Sequence, residues 1–430
     1  MKNEKLYMQI YDYYKNLIED GKLTEGMKLP SIRRCAEERN VSKTTVESAF
    51  MCLCDDGYIM PKSQSGYYVS KRGTSSKAST PKEIKKDSEN EIIYDFSSSG
   101  VDCESFNMDI WRRYVKSALR QTEKLLFYGE PQGEIELRRE IAKYVQETRN
   151  CVCSEENIVI GAGVQALLNI LCPLLKSRKT VYFEDENYKQ GMAIFEDYGY
   201  KFSNKDNSNI LYVSPSYRDK TGDTMNIQKR FSLVEFAREN NKLIIEDDYG
   251  SEFRYFNRPT PSLQSLDGGE NVVYLGTFSK LLLPSIRISF MILPDAFLDE
   301  YKQKSELYNQ TVGKVDQIAL CSYIRDGHLN SQIRKSRKLY MQKSKMLCDL
   351  LLQKFGKKVK ILKSDSPLYI RCVFDLGLTN EQICKFLFQK GISVINSGEN
   401  GEIAFSVSSV SINSLEDATD IMESLLVICQ

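Results

Sequence analysis

Residues 244–250 read IIEDDYG, and residues 274–280 read YLGTFSK. Each stretch starts with apolar, strand-forming residues and ends in polar ones, as a buried strand does where it reaches the edge of a sheet. Open sheets built mostly from parallel strands bind their ligands at the carboxyl ends of those strands. The two stretches therefore predict a ligand site that contains Asp247 and Lys280.

Strand-like runs on either side of these stretches alternate with helix-like segments, and they include NIVIGAG, TVYFED, NILYVSP and SFMILP. This alternation predicts an α/β fold with a mostly parallel sheet and helices on both faces. After residue 300 the pattern changes to long amphipathic helices and then to the strand-like runs LYIRCVF and EIAFSVS. We therefore expect a body over residues 92–430, with a large part over about 92–300 and a smaller α+β subdomain over about 301–430.

The first 91 residues divide into a head and a linker. Residues 71–91, KRGTSSKASTPKEIKKDSENE, contain Ile84 as their one large apolar side chain, which predicts a flexible linker. Residues 1–70 predict three helices and a hairpin, in the segments KLYMQIYDYYKNLIEDG, LPSIRRCAEERN, VSKTTVESAFMCLCDDG and GYIMPKSQSGYYVS. This is the element order of a winged helix-turn-helix domain.

Composition excludes several classes of function. The 59 Lys+Arg against 58 Asp+Glu give a net charge of +1, so binding to nucleic acid would depend on a local basic patch. The single histidine, His328, excludes metal centres built from several histidines, and we expect no metal site. The opening MKNEKLYMQIYDYY is not an apolar leader, and the longest apolar run is interrupted by Gln165 and Asn169. We therefore expect a cytoplasmic protein with no membrane partner.

The third helix of a helix-turn-helix domain enters the major groove of DNA with its first residues near the bases. The polar residues at that position are Ser42, Lys43, Thr44 and Thr45. The segments LPSIR, VSKTTV and SGYYV over residues 5–70 resemble the winged head of the GntR superfamily. The resemblance implies binding of a double-stranded DNA operator, with contacts from Arg33, Lys43, Thr44, Thr45 and Gly66. Glu47 departs from the basic residue that relatives often carry.

The residues at the predicted sheet edge suit pyridoxal 5'-phosphate. A lysine such as Lys280 can form a Schiff base, while a carboxylate such as Asp247 keeps the pyridine nitrogen protonated. Tyr249 lies two residues beyond Asp247 and can donate to the ring oxygen. The glycine-rich turn GAGVQALL (161–168) offers backbone N–H groups for a phosphate. The side chains that can donate further hydrogen bonds to that phosphate are Thr277, Ser279 and Arg287.

The order of these features resembles fold-type I aminotransferases, and together with the winged head it resembles the MocR/GabR family of transcription regulators. The segments that carry the resemblance run nearly end to end: YGEPQGEIELRREIAKYVQETRNCVCSEENIVIGAG, PSYRDKTGDTM, IEDDYGSEFRY, GTFSKLLLPSIRISF and DGHLNSQIRKSRKLY. The resemblance implies that Lys280 is the Schiff-base lysine, with Asp247 at the ring nitrogen and Tyr249 at the ring oxygen. It further implies ring stacking by Tyr188, phosphate contacts from Val164, Gln165, Ser279 and Arg287, and a homodimer in which Tyr128 reaches the partner's cofactor.

Three departures from the family pattern concern the effector pocket. The loop S-H-Q-x-P-T-G is SYRDKTG in residues 216–222, which introduces Arg218. Glu402 stands where aminotransferases keep an arginine for the substrate carboxylate, and Gln190 stands where GABA-responsive relatives have a second one. We therefore expect little transamination of common α-amino acids, and an effector with a second amine or a neutral group near the reacting carbon.

Three functional hypotheses remain open. The first is a transcription regulator that senses an amine or amino compound by aldimine exchange at Lys280. The second is a working aminotransferase with an accessory DNA-binding head, in which Arg218 could serve as a replacement clamp for the substrate carboxylate. The third is a sensor of pyridoxal phosphate itself.

Overall fold

A computed structural model describes residues 2–63, 65–71, 92–98, 100–102, 104–216, 224–255, 260–397 and 402–428. The chain divides into two compact units, Met1–Glu89 and Asn90–Gln430, which we refer to as the head and the body. None of the helices in the described part of the chain combines the length and the hydropathy that crossing a bilayer requires.

The head contains three helices followed by an antiparallel hairpin. Its elements are α1 (Lys2–Glu19), α2 (Ile32–Arg39), α3 (Lys43–Asp55), β1 (Ile59–Lys62) and β2 (Gly66–Val69). Serines cap the second and third helices, since the hydroxyl of Ser31 accepts from the Arg34 amide and that of Ser42 accepts from the Thr45 amide. The helices and the hairpin close on a core that includes fully buried Phe50.

The large part of the body is built on a seven-stranded sheet. Its strands and the short strand that precedes them are β3 (Tyr94–Asp95), β4 (Ile158–Gly161), β5 (Thr180–Phe183), β6 (Lys201–Phe202), β7 (Ile210–Val213), β8 (Leu243–Asp247), β9 (Val272–Thr277) and β10 (Ser289–Ile292). The order is β4-β10-β9-β8-β7-β5-β6, in which β10 is antiparallel to both neighbours and the other pairs are parallel. Nearly all side chains of the central strands β7, β8 and β9 are buried, as in a sheet that is covered on both faces.

The helices of the body follow the predicted alternation with the strands. They are α4 (Met108–Leu119), α5 (Thr122–Leu125), α6 (Ile135–Arg149), α7 (Val164–Leu174), α8 (Lys189–Asp197), α9 (Ile227–Glu239), α10 (Leu263–Asp267), α11 (Leu298–Ser305), α12 (Lys314–Arg325), α13 (His328–Phe355), α14 (Asn380–Gln389), α15 (Leu415–Glu423) and α16 (Leu425–Ile428). The α/β fold class with a mostly parallel sheet is thus confirmed.

The C-terminal part has a sheet of its own. The strands of this part are β11 (Val359–Leu362), β12 (Tyr369–Phe374), β13 (Ile392–Ser393), β14 (Ile395–Asn396) and β15 (Glu402–Ser406). All of them except β13 form this sheet, which is antiparallel and has the order β11-β12-β15-β14. The strand β3 pairs in parallel with β13 and not with the large sheet. The first residues of the body therefore pair with a strand about 300 residues later in the chain, Ile392 opposite Tyr94, a pairing that local sequence patterns do not indicate.

Candidate cofactor site and DNA-binding head

The predicted ligand site lies where β8 and β9 end. Asp247 is the last residue of β8 and Thr277 the last of β9, and Lys280 follows three residues later. A cavity of about 500 Å³ opens at this edge. It is lined by Gly163, Val164, Gln165, Asp185, Tyr188, Gln190, Ser214, Asp247, Tyr249, Thr277, Ser279, Arg287 and Ser289. The sheet therefore brings together most of the residues that the sequence singled out for the cofactor.

Lys280 is a buried lysine beside this cavity, since it directly follows the lining residue Ser279 and is only 3% exposed. Its Nζ donates to the carbonyl oxygen of Gly100 at 3.3 Å. Burial lowers the pKa of Lys280 to about 7, because the protein interior disfavours the charged form. A large share of the amine is therefore neutral at physiological pH, and only the neutral amine is a nucleophile.

Asp247 forms part of the cavity wall at the end of β8. Burial raises the pKa of Asp247 to about 6, although the Tyr212 hydroxyl, which donates to Oδ2 at 2.7 Å, opposes this shift. Tyr212 lies on the neighbouring strand β7, and because 35 residues separate it from Asp247 a local sequence pattern does not indicate this contact. A cationic group in the cavity would stabilise the charged form of the Asp247 carboxylate, which burial disfavours.

Asp248, the next residue, faces away from the cavity and is almost fully buried. Arg149 at the end of α6 forms an ion pair with it at 2.7 Å, and Tyr274 donates a further hydrogen bond. Burial alone would raise the pKa of Asp248, but Arg149 and the hydroxyl donors outweigh it and hold the pKa below its usual range. Successive side chains of an extended chain point in opposite directions, so Asp247 lines the cavity while Asp248 pairs with Arg149 inside the protein.

A cradle suited to a phosphate lies at the first turn of α7. Gly163 has φ +91°, and a Cβ added there would lie 2.3 Å from the guanidinium of Arg287, so only glycine allows this approach. Arg287 itself has a left-handed φ of 54°. The Ser279 hydroxyl is buried and has no hydrogen-bond partner within the described residues. A buried polar atom without a partner, in a cavity that is also lined by a helix N-terminus and an arginine, fits an anionic group.

Tyr188 also lines the cavity, and it directly precedes α8. A Cβ on Gly191 would lie 2.2 Å from the Tyr188 ring, so the ring occupies the space that glycine leaves open. The ring centroids of Tyr188 and Tyr212 are 5.7 Å apart with an interplanar angle of 31°. Burial raises the pKa of Tyr249, so its hydroxyl keeps its proton and remains a donor to the cavity. Tyr188 and Tyr249 are both among the residues that line the cavity.

The three effector-pocket residues have different surroundings. Gln190 lines the cavity, whereas Arg218 lies outside the described residues. Glu402 begins β15, where the Nε of Arg371 on β12 donates to its Oε1 at 2.6 Å and Nη2 donates to Oε2 at 3.2 Å. This bidentate ion pair neutralises Glu402, so its replacement of the usual arginine does not leave an uncompensated negative charge that would repel an effector carboxylate.

Tyr128 is fully exposed in the described chain, and its neighbours Leu126 and Phe127 are also exposed. Three consecutive exposed apolar or aromatic residues are unusual on a monomer surface and are typical of a contact with another chain. The role of Tyr128 across a dimer nevertheless stays a prediction.

In the head, Lys43 and Thr44 are exposed at the first turn of α3, and Arg33 is exposed on α2, where its Nε donates to Glu37 at 3.2 Å. Exposed ion pairs of this kind contribute little to stability, so Arg33 can exchange Glu37 for a phosphate.

Thr45 differs from the expectation because it is buried, and its hydroxyl lies 2.7 Å from that of Ser42. Gly66 begins the hairpin strand β2 with φ +103°.

Comparisons with known proteins extend this description. Residues 6–69 match the family "Bacterial regulatory proteins, gntR family", and residues 102–209 match "Aminotransferase class I and II". The chain is 37% identical over 408 residues to the HTH-type transcriptional regulator YdeL of Bacillus subtilis, covering 90% of this chain and 88% of YdeL. It is 25% identical over 421 residues to the probable rhizopine catabolism regulatory protein MocR of Rhizobium meliloti, covering 90% of this chain and 85% of MocR.

The body is similar to a solved kynurenine aminotransferase of Pyrococcus horikoshii in complex with PMP, with a TM-score of 0.67, 21% identity and coverage of 84% of this chain and 96% of that one. These findings confirm the predicted head and the aminotransferase-like body. A GntR head implies DNA binding, and the aminotransferase fold implies binding of pyridoxal phosphate. The chain belongs to the MocR-type family of HTH-type transcriptional regulators, in which a GntR-family head precedes an aminotransferase-like body.

Proposed function

We propose that this regulator carries pyridoxal phosphate covalently on Lys280 and senses a small amine or amino-acid-like effector that displaces the lysine. The displacement changes how a homodimer places its two heads on a double-stranded DNA operator in the cytoplasm. The observation that carries the proposal is a buried lysine with a pKa of about 7 beside a cavity that also contains a shielded carboxylate and an anion cradle. When bound, pyridoxal phosphate supplies an aldehyde that condenses with amines and a ring that draws electrons.

The residues of the cavity fit this cofactor. The unpartnered Ser279 hydroxyl, the N-terminus of α7 and the Arg287 guanidinium would hold the phosphate, together with Val164, Gln165 and Thr277. Asp247 would accept a hydrogen bond from the protonated ring nitrogen, Tyr249 would donate to the ring oxygen, and Tyr188 would stack on the ring. Lys280 would attack in its neutral form, which its lowered pKa makes abundant at physiological pH.

The exposed run Leu126, Phe127 and Tyr128 supports the homodimer in this proposal. Burying these side chains against a second copy removes apolar surface from water, and it would bring Tyr128 to the phosphate of the partner's cofactor. Two cofactor sites and two heads then belong to one assembly, so ligand chemistry in the body can bias the placement of both heads.

Cofactor binding is expected to weaken below pH 6. In the protein without cofactor, Asp247 takes up a proton as the pH falls through its pKa of about 6, and a neutral carboxyl no longer pairs with a protonated ring nitrogen. Cofactor affinity should then fall by up to about 10-fold per pH unit below that pKa. Titration of the cofactor-free protein between pH 5 and pH 8, followed by visible absorbance, measures this dependence.

Asp247→Asn is the matched control, because it preserves the shape of the side chain and removes its titration. Its affinity should be lower than that of the wild type above pH 6, and the difference between the two proteins should shrink as the pH falls, which cancels the titration of the cofactor itself. A constant difference between pH 5 and pH 8 would mean that Asp247 does not pair with the cofactor.

The proposal also expects slow transamination of common α-amino acids. A transaminase holds the substrate carboxylate so that the Cα–H bond stands perpendicular to the ring, and a bidentate arginine is the usual device. Arg371 is already engaged in a bidentate pair with Glu402, and Gln190 offers neutral hydrogen bonds only. Steady-state assays with amino donors and a keto-acid acceptor should give turnover well below about 1 per second.

Turnover at ordinary enzyme rates would overturn the sensor proposal in favour of the second candidate, an aminotransferase with an accessory head. Loss of that turnover in Arg218→Ala would then identify Arg218 as the carboxylate clamp. A protein that binds pyridoxal phosphate but shows no change in visible absorbance with any amine would favour the third candidate, a sensor of the cofactor itself.

A further inference from the structure

Residues 92–98 and 100–102 form the described part of the stretch that opens the body, which we refer to as the Gly100 segment. Its first half is fixed to the C-terminal subdomain. Tyr94 and Asp95 pair with β13, and the Ser406 amide donates to the Phe96 carbonyl at 2.7 Å. The Phe96 ring is fully buried, with its centroid 5.6 Å from that of Phe405. This half of the segment therefore moves with the small sheet.

The second half is anchored at Asp102. Its carboxylate forms an ion pair with Lys343 of α13, a lysine that is completely buried and that also donates to the Val410 carbonyl at 2.6 Å. Gly100 lies between the two anchors, and its carbonyl accepts the hydrogen bond from Lys280 Nζ at 3.3 Å. A Cβ on Gly100 would lie 3.2 Å from the hydroxyls of both Ser98 and Ser409, so Gly100 is tightly packed.

We propose that the Gly100 carbonyl is the receptor for the released amine of Lys280, so that the Gly100 segment reports whether an effector has displaced the lysine. This inference rests on the proposed function, and it adds the route by which the body registers that displacement. The Gly100 segment directly follows residues 72–91, which connect it in sequence to the head.

The exchange step balances without an oxidant or reductant. The effector nitrogen forms a bond to the cofactor carbon that held Nζ, the bond from that carbon to Nζ breaks, and two protons pass from the effector nitrogen to Nζ. Lys280 is thereby returned as a primary amine that can donate to Gly100. While Nζ is bonded to the cofactor it would carry at most one proton and would be drawn towards the cavity, so the hydrogen bond to Gly100 would be lost.

The expected effect is moderate, since one such hydrogen bond shifts a two-state equilibrium by roughly 3- to 10-fold. Amide hydrogen exchange measures this shift because it reports local opening of a segment. We would compare peptides covering residues 92–102 in the full-length protein loaded with pyridoxal phosphate, before and after addition of methoxyamine. Methoxyamine condenses with the cofactor aldehyde and releases Lys280, while the site remains filled in both samples.

The inference expects slower exchange of these peptides after methoxyamine, by roughly 3- to 10-fold. In Lys280→Ala, which has no amine to release, exchange should be fast and indifferent to methoxyamine, although visible absorbance still reports bound cofactor. Unchanged exchange in the wild type, or an equal response in Lys280→Ala, would overturn the role of Gly100. Failure of the proposed function would instead appear as the absence of a Lys280 adduct with pyridoxal phosphate.

Discussion

Lys280→Ala is expected to abolish covalent attachment of pyridoxal phosphate. In the wild-type protein, borohydride reduction followed by peptide mapping should place one stoichiometric adduct on the peptide that contains Lys280. The physical reason is that this amine is buried beside the cavity with a pKa of about 7, so it is nucleophilic where an ordinary surface lysine is protonated. The variant should still bind the cofactor weakly through the phosphate cradle, but borohydride should fix none of it.

The matched control is Lys242→Ala. Lys242 is also buried, but it lies immediately before β8, at the end of the strand opposite Asp247, and it donates to the carbonyls of Asp206 and Ser208 at 2.6 and 2.7 Å. Its replacement should leave the Lys280 adduct intact. An adduct on another peptide of the wild-type protein, or a protein that takes up no cofactor, would refute the assignment of Lys280.

The isolated head, residues 1–72, is expected to bind operator DNA at least about 100-fold more weakly than the full-length protein. The head has its own closed core, so it should fold alone, but its twelve basic and ten acidic residues give a net charge of only +2. A weakly charged head depends on a second head bound to a second half-site, which raises the effective concentration of each. Lys43→Ala in the full-length protein should weaken binding and lower its salt dependence by about one counterion.

The measurement is a DNA titration at several salt concentrations, with an operator fragment selected from a random-sequence pool by the full-length protein. Fusion of the head to an unrelated dimerising helix provides the control, because it should recover part of the lost affinity. An isolated monomeric head that binds as tightly as the full-length protein would show that binding is not bivalent.

The fold and the cofactor cavity could be predicted because they depend on local signals. Strands end at Asp247 and Thr277 in the apolar-to-polar pattern that the sequence displays, and parallel pairing then brings those ends to one edge. The contacts that tune the site could not be predicted in this way. Tyr212 contacts Asp247 from 35 residues away and Arg149 contacts Asp248 from 99 residues away. Local sequence patterns do not indicate contacts between residues so far apart in the chain.

Glu402 and Thr45 lie in the secondary-structure elements that the sequence predicts, but their surroundings differ from the expectation. Glu402 does begin the expected strand, but the antiparallel register between β12 and β15 brings Arg371 close enough to neutralise it. Thr45 does lie in the first turn of α3, but helical periodicity turns it towards the core, where Ser42 holds its hydroxyl. The partner of Glu402 is determined by tertiary packing, whereas the partner of Thr45 is the N-cap of its own helix and only the burial of Thr45 depends on tertiary packing.

Release of Lys280 in the body is expected to change the binding of the heads to DNA. The most direct test is the affinity of the cofactor-loaded, full-length protein for its selected operator fragment, measured with and without methoxyamine in the wild type and in Lys280→Ala. We expect a change of about 5-fold or more in the wild type, which is the lower range of allosteric couplings, and no change in the variant. Equal operator affinity with and without methoxyamine in the wild type would contradict it.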